Sequence, residues 1–251
     1  MVGTFRHLPL LNNAPNVWAW CHGVPNETAA PHRMVPFWYL SLVIWREWTV
    51  SGEIADVTLR LHGPQPNPYF YAPRRPTELI GIAIAPELAQ NALGISNDDC
   101  AGQIVEWQDD DFDNALLLAS GGRQVDAIAD AMARPILNMI TDIPSGNVDL
   151  AVAMIRRTRG TASLRAVSDR IGLSERQFRT GFKKRVGLSA KAYSRIVRAN
   201  AIISQADRTD TPDWADLSYQ YGFFDQAHMI NDLRNLTGQS PAILSIERKA
   251  E

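Results

Sequence analysis

The stretch Leu164–Gly187, LRAVSDRIGLSERQFRTGFKKRVG, returns in altered form as Asp216–Pro241, DLSYQYGFFDQAHMINDLRNLTGQSP. Gly172 falls on Gly222, and each is followed by an apolar residue, Leu173 or Phe223. With one residue inserted in the second copy, Ser174 falls on Asp225, Phe178 on Met229, Phe182 on Leu233, Gly187 on Gly238 and Ser189 on Ser240. Each copy reads as a short helix, a glycine turn, an N-cap and a second helix. Ser174 and Asp225 suit the cap because their side-chain oxygens accept from backbone N–H groups that the helix leaves unpaired. Phe178/Phe182 and Met229/Leu233 stand four apart, so one face of each second helix is buried and the other projects. A helix-turn-helix presents its reading helix to DNA in this way.

Working outward, Ser189–Ser204 lies between the copies without Gly or Pro, and Tyr193, Ile196, Val197 and Ile203 supply an apolar stripe. It reads as one linker helix of roughly 25 Å, a spacer able to set two reading helices near one DNA turn apart, roughly 34 Å. Charge is divided along the chain: residues 1–147 hold 8 basic and 16 acidic side chains, and 148–251 hold 17 and 11. Between Arg156 and Arg198 there are 13 basic and 2 acidic residues. A basic segment beside an acidic one fits a DNA-binding module with a partner domain. Asp142-Ile-Pro-Ser-Gly-Asn147 is a natural boundary. The expected fold class is α+β, with a mostly-β sensor or dimerisation domain over 1–142 and an all-α domain over 143–251.

The duplicated unit resembles the AraC/XylS family of transcription regulators over about Val148–Leu244. Gly222-Phe223, Gln226-Ala227-His228 and Leu236-Thr237-Gly238-Gln239-Ser240-Pro241 carry the resemblance most specifically. It implies a DNA-binding domain of about seven helices, with two helix-turn-helix units, acting at promoters as activator or repressor. RNA polymerase, a small-molecule effector and a second copy of the chain are the further partners it implies. Ala190 stands where the family often has Pro, Met229 where Phe is common, and Asn231 where Arg is usual. The last change replaces a cationic contact with a neutral one.

The family's base-contacting positions fall on Arg176, Arg179 and Thr180 in the first reading helix. In the second they fall on Gln226, Ala227, Ile230 and Asn231. Arg grips guanine through two hydrogen bonds, Gln or Asn pairs with adenine, and Ile meets a thymine methyl. Lys183, Lys184, Arg195, Arg198 and His228 are the expected phosphate contacts, with Arg185 and Lys191 further candidates; such contacts position without specifying. Residues 199–251 hold 4 basic and 8 acidic side chains. The first unit is therefore expected to supply most of the binding energy.

The first half carries four of the five histidines, His7, His22, His32 and His62, with Cys21 beside His22. Their spacing matches no zinc pattern, and Cys21 and His22 would point oppositely on a strand. Asp98-Asp99 and Asp109-Asp110-Asp111 with Asp113 lack the calcium-loop pattern. No metal and no cofactor is expected. Neither Cys21 nor Cys100 has the setting of an alkyl-transfer nucleophile, and no nucleophile elbow, phosphate loop or dinucleotide fingerprint occurs, so no enzyme is expected. A catalytic domain fused to the DNA-binding module and a constitutive regulator whose first half only dimerises remain the alternatives.

Arg33–Trp48, Glu53–His62, Tyr69–Ala72 and Glu78–Ala85 read as strands, and Met34–Trp45, too short and aromatic for a membrane span, as a buried strand pair. Glu87–Leu93, Phe112–Ser120 and Arg123–Ile140 read as helices, and Asp98–Asp113 as mostly an acidic loop. The segment from Gly81 to Pro86 is similar to one in some regulators of the family, with Glu87 in place of Gly. A cupin-like barrel, the commoner partner domain of the family, is compatible with these strands. Trp18, Trp20, Trp45 and Tyr71 are among the many aromatics available to a core or to an apolar effector pocket, with Arg60, His62, Glu47 and Glu53 as candidate polar members. Two cysteines and no secretion signal in Met1–Asn13 point to the cytoplasm.

Overall fold

A computed structural model of the chain describes residues 5–11, 16–24, 32–140 and 146–250. The boundary stretch Asp142–Asn147 and the start Met1–Asn13 fall partly outside the described residues.

Strands β1 (Phe5–Leu8), β2 (Val17–Val24), β3 (His32–Met34), β4 (Leu40–Trp48), β5 (Ile54–His62), β6 (Tyr69–Tyr71), β7 (Thr77–Ile84) and β8 (Ile104–Glu106) make two sheets. The larger is antiparallel in the order β1-β2-β7-β4-β5-β8, and β3 pairs with β6 in a second, two-stranded sheet. The period of two sorts the side chains. Ala19, Cys21, Leu40, Leu42, Ile44, Leu59, Leu61, Ile80, Ile82 and Ile84 face one way, into the main core. Helices α1 (Pro86–Leu93), α3 (Asp113–Ser120) and α4 (Val125–Met139) close that core, with Ile128, Met132 and Ile136 wholly buried along α4. Trp18, Trp20, Val43, Trp45, Leu79 and Ala83 face the other way, with Tyr39 and Tyr71 packed on them.

Three expectations change. Arg33–Trp48 is two strands in different sheets; Pro36 cannot donate to a ladder, and Phe37 crosses over to exchange backbone hydrogen bonds with Gln65. β1 and β2 lie outside every stretch read as a strand. The acidic segment holds the short helix α2 (Asn97–Cys100), β8 and a 3-10 turn at Asp110–Phe112, which Asp109 caps by accepting from the Asp111 N–H at 3.1 Å.

Beyond residue 146 every element is helical: α5 (Asn147–Arg157), α6 (Leu164–Arg170), α7 (Glu175–Val186), α8 (Ala190–Ala206), α9 (Trp214–Gln220), α10 (Gln226–Thr237) and α11 (Pro241–Ala250). They enclose a second core that includes Ile155, Phe178, Phe182, Tyr193, Ile196, Ile202, Met229 and Leu233. No helix of the described residues is long and apolar enough to cross a membrane.

Candidate nucleic-acid interface and the surface that meets it

The two halves of the repeat are built alike. α6 and α7 are joined through Gly172 at φ 67°, and α9 and α10 through Gly222 at φ 68°, a left-handed conformation that costs glycine nothing. Ser174 Oγ accepts from the Gln177 N–H at 3.4 Å while Gln177 Oε1 accepts from the Ser174 N–H at 3.1 Å, a reciprocal cap. Asp225 Oδ1 accepts from the His228 N–H at 2.7 Å. Phe178, Phe182 and Val186 bury one face of α7, and Met229, Leu233 and Leu236 bury one face of α10.

Arg176, Arg179, Thr180, Lys183 and Lys184 project from the opposite face of α7, and Gln226, Ala227, His228 and Asn231 from that of α10; Ile230 is half-buried. Arg179 meets Glu175 one turn back at 2.5 Å, with both side chains mostly exposed. A pair so exposed is weak, so the guanidinium is available to another partner.

Other cations are engaged inside the protein. Arg195, on the linker helix α8, meets Asp232 of α10 at 2.7 Å. Arg198 donates twice to the Gly160 carbonyl, at 3.1 and 3.0 Å, and lies 5.0 Å from the Phe223 ring centre. Burial lowers the pKa of its guanidinium. Both arginines tie the linker to its neighbours. The ring of His228 stands edge-on to Phe223 at 5.4 Å, bracing the start of α10.

The last turn of α7 is seated on the sheet-bearing half. Arg185 Nε bonds Asp149 at 2.7 Å, Nη1 bonds Gln90 at 3.1 Å, and Nη2 bonds the Glu87 carbonyl at 2.6 Å. Asn97 Nδ2 donates to the Arg185 carbonyl at 2.8 Å and to the Pro86 carbonyl at 2.9 Å. Gly187 is so close that an added Cβ would lie 2.3 Å from the Asn97 carbonyl oxygen. Glu87 forms an ion pair with Arg156 in this seam. Burial nevertheless raises the Glu87 carboxyl pKa, against the attraction of Arg156. Beside the seam lies an open cleft, lined by Ser96, Asp98 and Asp99 on one side and by Arg179, Thr180, Lys183 and Lys184 on the other. Lys183 Nζ is 4.0 Å from Asp98.

Aromatic rings also span the seam. Trp18 packs on Trp38 at 5.5 Å, Trp38 on Tyr193 at 5.7 Å, Tyr193 on Phe182 at 5.4 Å, and Phe182 on Phe178 at 5.5 Å. The run begins on the aromatic face of the sheet and ends under the first reading helix. On that sheet face the Trp20 indole lies over Gly81, where an added Cβ would come within 2.3 Å of the ring. Trp45 Nε1 donates to His62 Nε2 at 3.1 Å, and Arg60 lies 4.1 Å from the Trp45 ring centre. Burial, with help from Arg60, lowers the His62 pKa to about 3, so the imidazole is neutral and accepts. Arg60 Nε is buried without a hydrogen-bond partner. Glu47 is at the end of the same strand face, near Tyr71, whereas Glu53 is exposed in the β4–β5 turn and does not join the group.

Cys21 and Cys100 are both buried free thiols. Burial raises the pKa of each, that of Cys100 to about 11, the reverse of what activates a nucleophile. Cys21 faces the main core while His22 stands on the opposite face, 6.0 Å from the His32 ring. Among the described residues no group of three or more His, Cys, Asp or Glu could hold a metal ion.

The family model described as a helix-turn-helix domain matches residues 167–244. The class follows for the C-terminal region: it is a helix-turn-helix domain, the kind of module that binds DNA. Among solved structures the chain is similar to ToxT from Vibrio cholerae O395, with 7% identity, 93% of this chain and 98% of that one covered, and a TM-score of 0.50. It is similar also to a 1.65 Å structure of ToxT from Vibrio cholerae, with 9% identity, coverage of 92% and 98%, and a TM-score of 0.51. A third, ToxT bound to (E)-4-(8-methylnaphthalen-1-yl)but-3-enoic acid, gives 9% identity, coverage of 98% and 99%, and a TM-score of 0.50. At these identities the likeness is one of fold, a sheet-rich region followed by a helical one over nearly the whole chain. No curated protein sequence matches.

Proposed function

We propose that this protein is a sequence-specific transcription regulator that reads promoter DNA with α7 and α10 and answers to an apolar acid bound on the aromatic sheet face. The duplicated unit, with one face of each second helix buried and the other bare, carries the first part. In this reading Arg176, Arg179 and Thr180, then Gln226, Ala227, Ile230 and Asn231, meet base edges. Lys183, Lys184 and His228 meet phosphates. Arg195 and Arg198, expected at phosphates as well, also stiffen the linker through their bonds to Asp232 and the Gly160 carbonyl. The protein would work in the cytoplasm beside its promoters, with RNA polymerase and a second copy of the chain as further partners. Selection of bound sites from random DNA by the whole chain, followed by salt titration, tests this. Enriched paired sites with affinity falling steeply with salt are expected, and no enrichment at any salt would overturn the reading.

The effector part rests on Arg60. Its unpartnered Nε lies among aromatic rings beside a neutral histidine, a setting that suits a planar carboxylate. The acid bound to ToxT is of that chemical kind. β7 passes under this face and leads straight into α1, which holds Arg185. Asp98 and Asp99 occupy ground beside Lys183 and Lys184 that DNA phosphates would need. An effector that favours withdrawal of α1 and α2 would free the reading helix, since a ligand shifts only the equilibrium it binds unequally. Naphthalene acids should raise the melting temperature of the full chain and their methyl esters should not. Arg60→Met should remove the response, and a response that survives it would sink the assignment.

A further inference from the structure

In the first unit the chain passes from Gly172 through Leu173 to the cap Ser174. In the second it passes from Gly222 through Phe223 and one extra residue, Phe224, to the cap Asp225. Phe223 does the work of Leu173, packed against the core with its ring edge-on to His228 and under Arg198. The Asp225 cap is intact at 2.7 Å. α10 therefore starts undisturbed and the extra side chain is pushed outward: Phe224 is 93% exposed.

A single exposed apolar side chain is ordinary on a protein surface. Position and surroundings set this one apart. It directly precedes the cap of a reading helix, the end that enters the groove first and meets base edges. The surrounding unit is also poor in cations, with 4 basic and 8 acidic residues over 199–251, so counterion release cannot serve it as it serves the first unit. A second unit that grips DNA needs contacts that do not depend on charge.

We propose that Phe224 is a DNA-contacting, specificity-determining residue whose ring packs on the C5-methyl group of a thymine at the edge of the second half-site. The inference rests on the DNA-reading function above. Thymine is the base that offers an apolar group in the major groove. Covering it with a ring removes apolar area from water, a gain that salt does not screen as it screens charge.

The test uses the full chain on an operator obtained by selection, with the thymines of the second half-site replaced in turn by uracil, which lacks only the methyl. Wild type should lose about tenfold in affinity on the uracil operator, ~1.4 kcal/mol. Phe224→Ala should lose a similar factor on the thymine operator and nothing more on the uracil one. Its melting temperature and its slope of affinity against salt should match wild type, and Phe224→Leu should recover part of the loss. Wild-type affinity in Phe224→Ala, or two losses that add independently, would overturn the proposal. So would intact DNA binding with lost promoter activity, which would mean that the ring meets a protein. Arg179→Ala run alongside separates the levels: if it too binds normally the DNA-reading function fails, and if it alone is weakened only the role of Phe224 fails.

Discussion

Arg179 and Asn231 stand on corresponding faces of the two reading helices, and they differ in what they can offer. Arg179 brings a charge and two parallel donors, and it is tied only by an exposed pair with Glu175. Asn231 brings a neutral amide. Arg179→Ala should weaken operator binding about tenfold or more, within the ~1–3 kcal/mol range of a bidentate base contact, and Asn231→Ala clearly less. Equal losses in a fluorescence anisotropy titration would contradict this division. Beneath Arg179, Phe182 is fully buried between Phe178 and Tyr193. Phe182→Ala should cost ~3–5 kcal/mol of stability, read by denaturant unfolding. The buried pairs and the caps were legible in the sequence because helical spacing is local. The bonds that Arg185, Arg195 and Arg198 make inside the protein were not. A structural arginine and a DNA-facing one look identical until the partner is known, and these partners lie 36 to 98 residues away.

The elements divide in the same way. All seven helices beyond residue 146 follow from repeat, periodicity and family pattern, and the linker helix was expected within two residues of its observed ends. β1 and β2 were missed because strand signals depend on neighbours: Val17–Val24 alternates inward and outward only once β7 lies beside it. The seam between α2 and α7 was invisible for the same reason. Its tightest point is Gly187, which closes α7 at φ 79° and leaves no room for a Cβ against Asn97. Gly187→Ala should be strained by ~1–2 kcal/mol and should also push α2 away. The expected outcome is a lower melting temperature together with tighter DNA binding, as the Asp98–Asp99 ledge leaves the phosphate side of α7. Lower stability with unchanged or weaker DNA binding would show that the ledge does not compete with DNA.

Taken whole, the molecule holds two buried groups that answer to pH in opposite directions. Glu87, in the seam, has its carboxyl pKa raised above the ordinary 4.5. As pH rises from 4.5 through the folded value, the unfolded chain gives up its proton first, so the contribution of this group to stability is lost. His62 has its pKa lowered to about 3 from 6.5. As pH falls from 6.5 toward 3, the unfolded chain takes up a proton first, so stability again declines. The two slopes oppose each other in the acid range just above 4.5. Thermal melts of Glu87→Gln should therefore show a steeper fall in stability on acidification than wild type, with the His62 effect left uncovered. An identical pH dependence in the two proteins would show that Glu87 titrates alike folded and unfolded.

Helix α8 carries a last consequence. Seventeen residues long, bonded to Asp232 through Arg195 and to Gly160 through Arg198, it is a ruler that cannot stretch. A base change in one half-site removes one contact and leaves the rest. One base pair added between half-sites turns the second out of phase by about a tenth of a turn and shifts it along the axis, and every contact of that unit suffers together. Across a genome, the sites this protein commands should thus drift freely in letters and hardly at all in spacing.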